Sequence, residues 1–198
     1  MKAVHYQNTY GLVVCGGKSS RMGRDKSMLQ YYDKPQRYHV YDMLLPFCEK
    51  VFISCNTEQA DTMEDGYELI KDDAAFNDTG PMAALLSAFT RFPGKHLLVI
   101  ACDYPFLTAG ELQQFATHCN NAPVSFYNDE ENIYEPLLAW YPKSSFEKLK
   151  EMHKSGQFSL QHFLKDSHAI KYYPTDKNSI TSVDTQAEFS KAVNRLKL

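Results

Sequence analysis

The first half of the chain alternates between short β-rich runs and amphipathic segments of helix length. The β-rich runs are Gly11–Cys15, Val51–Cys55, Glu68–Lys71 and Leu97–Cys102. The segments that predict helices are Arg37–Cys48, a short one near Glu58–Glu64, and Pro81–Phe92. This alternation predicts right-handed crossovers onto a mainly parallel sheet. The first and fourth runs are apolar throughout, which is typical of strands that helices cover on both faces.

A further helix is predicted at Thr108–Cys119, with Thr108 as its N-cap. Glu111 follows Thr108 by three residues, so the two residues fit a capping box.

After Asn121 the pattern changes to one that predicts a hairpin followed by mixed elements. The predicted hairpin strands are Val124–Tyr127 and Tyr134–Tyr141, joined across a polar segment. The elements predicted after it are helices at Ser144–Lys154 and Ser159–Lys165, a strand at Ala169–Tyr173 and a helix at about Gln186–Leu196. We therefore expect one α/β domain over residues 1–198, with a Rossmann-like, three-layer α/β/α arrangement.

The composition of the chain excludes several classes of protein. A length of 198 residues with 43% hydrophobic residues suits one domain with a substantial core. A net charge of −3 argues against a broadly basic protein that coats nucleic acid. The longest apolar run, Leu97–Cys102, is far shorter than the roughly 20 residues of a membrane helix, and the N-terminus lacks the apolar stretch of a signal peptide. We expect a cytoplasmic protein that binds neither nucleic acid nor membrane.

The cysteines do not fit a disulfide framework or a structural zinc site. They are odd in number and contain no C-x-x-C pair: Cys15, Cys48, Cys55, Cys102 and Cys119. We expect buried free thiols in a reducing compartment.

A glycine-rich cationic loop follows the first strand. Its glycines are Gly16 and Gly17, and four cations follow within nine residues: Lys18, Arg21, Arg24 and Lys26, offset by Asp25 alone. Glycines let backbone N–H groups approach an anion, while Arg and Lys offset its charge. This local net of +3 in a mildly acidic chain indicates phosphate binding.

Two common phosphate-binding motifs do not fit this loop. A Walker A motif ending in Gly17-Lys18-Ser19 would need a glycine where the chain has Leu12. The dinucleotide fingerprint G-x-G-x-x-G fails because Gly16 and Gly17 are adjacent and the next glycine is Gly23.

The loop resembles the signature of a known family in its full length. Cys15-Gly16-Gly17-Lys18-Ser19-Ser20-Arg21-Met22-Gly23-Arg24-Asp25-Lys26 is similar to the G-G-x-S-x-R-M-G-x-D-K motif of the MobA-like nucleotidyltransferases. Their archetype is a molybdenum cofactor guanylyltransferase, and they belong to the nucleotide-diphospho-sugar transferase fold group. Gly80-Pro81-Met82-Ala83-Ala84 resembles the family's G-P-L-A-G loop, and Cys102-Asp103-Tyr104-Pro105 resembles its C-D-x-P motif.

The resemblance implies roles for the residues that match these motifs. Those implied to contact the nucleotide are Cys15, Gly16, Gly17, Arg21, Lys26, Gly80 and Asp103. Arg21, Lys26 and Asp103 would also be catalytic, the first two by offsetting charge on the triphosphate. Lys18 and Arg24 fall at variable positions of the signature and inherit no role.

Two aspartates are candidate magnesium ligands. Asp103 ends the most apolar strand at its carboxyl end, where open α/β sheets bind ligands, and a carboxylate suits Mg²⁺ held against phosphate oxygens. The alternative is an Asp that caps the turn before Pro105. Asp184 lies in a segment that partly resembles the one before the family's last helix. It would either complete the magnesium site or form the N-cap of that helix.

Base recognition is implied for an asparagine and an aspartate. Asn56 and Asp73 match positions that contact guanine in guanylyltransferase relatives, and Asp72 is a near rival of Asp73. The two oxygens of a carboxylate accept from the N1 and N2 donors of guanine together, whereas cytosine has no such paired donors. The Gly16-Gly17 pair also favours GTP, because cytidylyl members tend to have Ala-Gly there.

The second half of the chain is implied to bind the acceptor. Glu135-Pro136-Leu137-Leu138-Ala139-Trp140-Tyr141 resembles the family's E-P-L-x-A-x-Y strand, and Glu135 is its candidate acceptor contact. Residues about 10–120 would then form the nucleotide half and about 121–198 the acceptor half.

The implied activity is transfer of GMP from GTP to a molybdopterin-type phosphate acceptor with release of pyrophosphate. Mg²⁺ would be the cofactor. Other proteins of cofactor biosynthesis are further candidate partners. Two alternatives keep the chemistry, namely cytidylyl transfer to the same acceptor and nucleotidyl transfer to a sugar or alcohol phosphate. A third is a nucleotide-binding module without turnover, which departures from the family motifs at Ala84, Ser182 and Gln186 would suit.

Overall fold

The computed structural model describes residues 6–15 and 25–197. Within these ranges the strands are β1 Thr9–Val14, β2 Lys50–Cys55, β3 Leu69–Lys71, β4 His96–Ala101, β5 Val124–Asn128, β6 Ile133–Tyr141 and β7 Ile170–Tyr172. The α-helices are α1 Gln36–Leu44, α2 Thr57–Ala60, α3 Met82–Arg91, α4 Ala109–Ala116, α5 Ser145–Lys154, α6 Leu160–Asp166 and α7 Gln186–Leu196. Short 3₁₀ turns occupy Lys26–Met28, Ala74–Phe76 and Lys177–Ile180.

The strands form one sheet in the order β3-β2-β1-β4-β6-β5-β7. The pairs β1–β2, β1–β4, β2–β3 and β5–β7 are parallel. β6 is antiparallel to both β4 and β5, so the predicted hairpin is confirmed. The mainly parallel sheet is confirmed as well. Parallel pairing follows from the strand–helix alternation of the first half, because each helix returns the chain to the same edge of the sheet.

The two faces of the sheet carry separate hydrophobic clusters, which confirms the three-layer arrangement. On one face, α1 and α4 pack against Val13, Ile53 and Leu98 of the sheet. On the other face, α3, α5 and α6 pack against Leu12 and Val99. Successive strand residues point to opposite faces, so an uninterrupted apolar strand such as β4 contributes to both clusters. None of the described helices is both long and apolar enough to span a lipid bilayer.

Most predicted boundaries hold to within a few residues, and the ends of helices deviate most. The helix predicted at Arg37–Cys48 ends at Leu44 in the structure, because Pro46 has no N–H to continue the helical bonds and the chain turns there. The helix predicted near Glu58–Glu64 is a single turn, Thr57–Ala60. α7 covers the predicted residues Gln186–Leu196.

Half of the capping box predicted for α4 is wrong. Thr108 is the N-cap, and its hydroxyl accepts from the backbone N–H of Glu111. The Glu111 carboxylate does not return to the N-cap. It is buried and accepts from the Tyr172 hydroxyl at 2.6 Å and from the Thr175 N–H at 2.9 Å. This carboxylate therefore connects α4 to the segment that follows β7, and these long-range hydrogen bonds replace the predicted bond to the N-cap.

Replacing Glu111 by alanine is expected to lower the free energy of unfolding by about 3 kcal/mol, because buried N–H and O–H donors lose a charged acceptor. Urea unfolding followed by circular dichroism measures this. Glu147, whose exposed carboxylate pairs with Lys150 on the same helix, is the control, and its alanine variant should shift the value by about 0.5 kcal/mol or less. Equal effects of the two substitutions would contradict the role assigned to Glu111.

Candidate active site

The carboxyl ends of three neighbouring parallel strands meet at one edge of the sheet. Val14 of β1 is in register with Ser54 of β2 and with Ala101 of β4. The next residues, Cys15, Cys55 and Cys102, are therefore neighbours at this edge, and all are buried. Ligand sites of open α/β sheets lie at this edge.

The thiols at the edge are structural. All five cysteines of the chain are free, and four of them are buried, as predicted. Burial raises the pKa of Cys55 to about 11, so this thiol stays protonated and unreactive at neutral pH.

A cavity of about 600 Å³ opens at this edge between β1, β2 and the start of α3. It brings together three residues predicted to contact the nucleotide: Cys15, Asn56 and Gly80. Its other lining residues are Val14, Ser54, Cys55, Gln59, Asp72, Asn77, Asp78, Pro81, Ala83 and Ala84. The cavity lies within the usual size range of small-molecule sites, about 300–1,000 Å³.

The loop before α3 forms part of the wall of this cavity. Gly80 has a φ of +60°, in the left-handed region that favours glycine, and no atom of the described residues lies within 4 Å of the position of a Cβ there. Ala84, which replaces the last glycine of the family motif, is buried in the wall of the cavity.

Of the two aspartates considered for base recognition, Asp72 lines the cavity and Asp73 does not. The Asp72 carboxylate accepts from the Ser54 hydroxyl at 2.8 Å, and burial raises its pKa. The Asp73 carboxylate accepts from the N–H of Ala75 and is the N-cap of the 3₁₀ turn Ala74–Phe76. The geometry therefore favours Asp72, because neighbouring residues of an extended chain point to opposite sides.

Asn56 has a structural contact besides its place in the cavity. It is the N-cap of α2, where its side-chain oxygen accepts from the N–H of Gln59 at 2.8 Å and the Gln59 side chain accepts from its backbone N–H. Gln59 also donates to the Asp25 carboxylate at 3.1 Å. This contact connects the wall of the cavity to the end of the cationic loop.

Asp103 follows β4 and is the most desolvated carboxylate at the edge. Burial raises its pKa to about 6; nearby Lys26 opposes the rise and Asp184 adds to it. Its Oδ1 atom is buried and accepts no hydrogen bond from any residue in the described ranges. A buried oxygen without a donor is costly, and a bound cation or a further hydrogen-bond donor would offset that cost.

Asp184 and Lys26 lie beside Asp103. The N–H of Val183 donates to the backbone oxygen of Asp103 at 2.9 Å, which brings the segment before α7 to the end of β4. The Lys26 ammonium lies 2.5 Å from the Asp184 carboxylate, and Ser182 donates to the other oxygen of that carboxylate at 3.2 Å. One ammonium and two carboxylates thus converge where the resemblance implies magnesium and triphosphate.

The alternative assignment of Asp184 as the cap of the last helix is wrong, because Thr185 is the N-cap. The Thr185 hydroxyl accepts from the N–H of Glu188, and the Glu188 carboxylate accepts from the N–H groups of Asp184 and Thr185, each at 2.8 Å. These backbone bonds lower the pKa of Glu188. The Asp184 side chain therefore does not cap α7, and it accepts from Lys26 and Ser182 instead.

Thr185→Ala is expected to lower the free energy of unfolding by about 1 kcal/mol, because α7 loses its N-cap acceptor. Thermal unfolding of the magnesium-free protein measures this. Asp184→Ala should leave the cap intact and reduce the binding of GTP with Mg²⁺ instead. A larger loss of stability in the Asp184 variant than in the Thr185 variant would contradict these assignments.

Several predicted residues lie outside the described residues. They belong to the cationic loop: Gly16, Gly17, Lys18, Arg21 and Arg24. The roles implied for Gly16, Gly17 and Arg21 stay predictions. The ends of the loop are described, and they place Cys15 in the cavity and Lys26 beside Asp184.

Glu135 lies in the wall of a second cavity. This cavity has a volume of about 380 Å³ and lies between the β5–β6 hairpin and the segment after β7. Its lining includes Glu135, three acidic residues of the hairpin loop, Tyr173 and Ser182. The Tyr104 hydroxyl donates to the Glu135 carboxylate at 2.7 Å. We call this space the hairpin cavity.

Three hydrogen bonds of the site were not predicted from the sequence: Ser54 with Asp72, Gln59 with Asp25, and Tyr104 with Glu135. Tyr104 stands at the variable position of the C-D-x-P motif, so only its place directly after Asp103 could have drawn attention to it. The other two depend on long-range proximity, for which the sequence carries no signal.

The carboxylates of the site suit Mg²⁺ better than a metal ion that takes all its ligands from the protein. In the part of the chain that the structure describes, no three His, Cys, Asp or Glu side chains come together to hold a metal ion. Mg²⁺ is commonly bound by one or two carboxylates, water and substrate phosphates, so Asp103 and Asp184 would suffice. The unpartnered Oδ1 of Asp103 supports this fit.

Comparison with known proteins places the chain in a family. The model of the MobA-like NTP transferase domain matches residues 11–170. The chain belongs to the MobA-like NTP transferase family. The family predicted from the motifs is therefore confirmed.

Relatives of this MobA-like NTP transferase include proteins of molybdenum cofactor biosynthesis. It is 32% identical to a molybdenum cofactor biosynthesis bifunctional protein of Synechocystis sp. over 67% of this chain, and it spans 38% of that protein. It is 25% identical to a molybdenum cofactor guanylyltransferase of Shewanella sediminis, covering 88% of this chain and 90% of the relative. Molybdopterin-guanine dinucleotide biosynthesis protein A from Archaeoglobus fulgidus superposes with a TM-score of 0.76 at 22% identity, covering 95% and 98% of the two chains. This last likeness confirms the predicted fold type.

Proposed function

We propose that this MobA-like NTP transferase is a molybdenum cofactor guanylyltransferase, which transfers GMP from GTP to the phosphate of a molybdopterin acceptor. The cavity of about 600 Å³ that Asp72 lines is called the base cavity below. The observation that carries the proposal is that this cavity and the cluster of Asp103, Asp184 and Lys26 lie at the same edge of the sheet. The names of the Synechocystis and Shewanella relatives support the choice of substrates.

In the base cavity, the Asp72 carboxylate would accept from the N1 and N2 donors of guanine, while Ser54 holds it in place. Asn56 and Cys15 form the neighbouring wall. Cytosine has no pair of adjacent donors to match a carboxylate. This difference favours GTP over CTP, because a carboxylate left without donors in a buried site costs binding energy.

In the transfer, an oxygen of the acceptor phosphate forms a bond to the α-phosphorus of GTP. The bond from the α-phosphorus to the bridging oxygen breaks, and pyrophosphate leaves with that electron pair. Lys26, together with Arg21, would offset charge on the triphosphate. Asp103 and Asp184 would hold Mg²⁺, which when bound neutralises charge on the phosphate oxygens. No covalent enzyme intermediate is needed, because orientation and charge stabilisation supply the acceleration.

The test is pyrophosphate release with molybdopterin and Mg²⁺, measured separately for GTP, CTP, ATP and UTP. The proposal expects release with GTP at a kcat/KM at least about tenfold above the other three, the effect of one lost hydrogen-bonding interaction of about 1.4 kcal/mol. Faster release with CTP would establish the cytidylyl alternative. Release with glycerol 3-phosphate or a sugar phosphate in place of molybdopterin would establish another acceptor class. Binding of GTP without release, acceptor present, would establish the non-catalytic module.

A further inference from the structure

The carboxylate of Glu135 is held in one position at the boundary between the two halves of the site. Glu135 lies on β6, and the tyrosine that binds it follows Asp103 directly after β4. The Tyr104 hydroxyl donates to the Oε2 atom at 2.7 Å. Burial raises the pKa of the Glu135 carboxyl, and the hydrogen bond from Tyr104 opposes that rise. Tyr104 thus stabilises the ionised, accepting form of a partly desolvated carboxylate.

The chemistry of the hairpin cavity selects the part of the acceptor that enters it. Glu131 and Glu135 contribute carboxylates to its wall, and the one lysine of the described lining, Lys177, is paired with Glu130. Tyr173, which is 54% exposed, contributes an aromatic ring. Carboxylates repel a phosphate and accept hydrogen bonds from N–H donors. Aromatic side chains stack on planar rings. The cavity therefore suits a planar heterocycle that carries N–H donors.

The orientation of such an acceptor follows from the two ends of the cavity. Ser182 lines the cavity and donates to Asp184, whose other oxygen binds Lys26. An acceptor with its ring against Glu135 would therefore extend its phosphate past Ser182 toward the Asp103–Asp184–Lys26 cluster. The volume of about 380 Å³ suits one bicyclic or tricyclic ring system.

We propose that Tyr104 is a positioning residue for acceptor recognition, which fixes Glu135 so that its carboxylate accepts N–H donors from the planar ring of the acceptor. The proposal deepens the function above and rests on it for the identity of the acceptor. The C-D-x-P motif leaves the position of Tyr104 variable.

The matched pair of variants is Tyr104→Phe and Tyr134→Phe. Each removes one hydroxyl hydrogen bond. Tyr134 precedes Glu135 on β6 and its ring contacts Tyr127, but its hydroxyl donates to the backbone oxygen of Ala169 and not to Glu135. With molybdopterin as the substrate, Tyr104→Phe should raise the KM for molybdopterin about tenfold, because a misplaced Glu135 carboxylate loses about 1.4 kcal/mol of hydrogen bonding to it. The KM for GTP and the kcat should stay within about twofold. Tyr134→Phe should leave all three constants unchanged.

A binding measurement makes the test independent of turnover. The probe is a pterin with a monophosphate on its side chain, titrated by the quenching of its fluorescence. Tyr104→Phe and Glu135→Gln should each raise the Kd about tenfold, while Tyr134→Phe should not. Wild-type affinity in both Tyr104→Phe and Glu135→Gln would overturn the proposal. A rise in the GTP KM equal to that of the acceptor KM would also overturn it, because a general disturbance of the Asp103 turn would then explain the result.

The two proposals can fail separately. If the wild-type protein releases pyrophosphate from GTP but Tyr104→Phe keeps its acceptor KM, the inference about Tyr104 is wrong and the proposed function stands. If the wild-type protein binds the pterin phosphate in a Tyr104-dependent manner without releasing pyrophosphate, the proposed function is wrong and the positioning role stands.

Discussion

Replacing Asp103 by asparagine is expected to reduce the kcat/KM for GTP about a thousandfold. The substitution keeps the volume of the side chain and removes the charge that would hold Mg²⁺ against the phosphates, an interaction worth several kcal/mol in the transition state. The protein should stay folded, because Asp103 is a desolvated carboxylate whose Oδ1 atom has no hydrogen-bond donor among the described residues. The desolvation of this charge outweighs its attraction to Lys26, so neutralising it does not cost the fold a net stabilising interaction.

Pyrophosphate release with saturating molybdopterin measures the loss of activity, and thermal unfolding of the same preparation checks the fold. The control is Asp42→Asn, which removes the charge of a half-exposed carboxylate on α1 that pairs with Lys34. Its activity should stay within about twofold of the wild type, because surface ion pairs contribute little. Activity of the Asp103 variant within tenfold of the wild type would show that magnesium is held elsewhere.

Replacing Asp72 by asparagine is expected to reduce the kcat/KM for GTP about a hundredfold. The asparagine keeps one acceptor oxygen, but it loses the charge and presents an NH₂ group to the donors of guanine. Hydrogen bonds to charged groups contribute about 1.5–3 kcal/mol each. Inosine triphosphate, which lacks the 2-amino group, should be a poorer substrate than GTP for the wild type by about tenfold. For the Asp72 variant this preference should disappear.

Asp73→Asn is the matched control for the Asp72 substitution. Asp73 is the next residue, and its carboxylate caps the Ala74–Phe76 turn, a task that asparagine also performs. Its kcat/KM for GTP should stay within about threefold of the wild type. If the Asp73 variant instead lost more activity than the Asp72 variant, base recognition would belong to Asp73, as the resemblance implies.

The choice between Asp72 and Asp73 shows which part of the site can be predicted from sequence. Apolar strands and motif loops are local signals, so β1, β2 and β4 and the residues at their carboxyl ends follow from the pattern. A shift of one residue in an extended segment reverses the side to which a side chain points. Resemblance between sequences implied Asp73, with Asp72 as a near rival, and only the fold shows that Asp72 is the one that lines the cavity.

Contacts between distant segments could not be predicted either. Glu111 fits a capping box by its spacing, yet its carboxylate binds Tyr172 and Thr175, which come more than sixty residues later. Tyr104 and Glu135 meet only because β6 pairs with β4 in an antiparallel manner. Local patterns specify the elements, whereas tertiary packing decides which polar side chains share a partner.

The most direct test of the account is a crystal structure of the protein with GTP and Mg²⁺. We expect guanine in the 600 Å³ cavity with its N1 and N2 donors on the Asp72 carboxylate. The metal should lie between Asp103, Asp184 and the phosphates. Guanine bound outside that cavity, or a metal that contacts neither aspartate, would contradict the account.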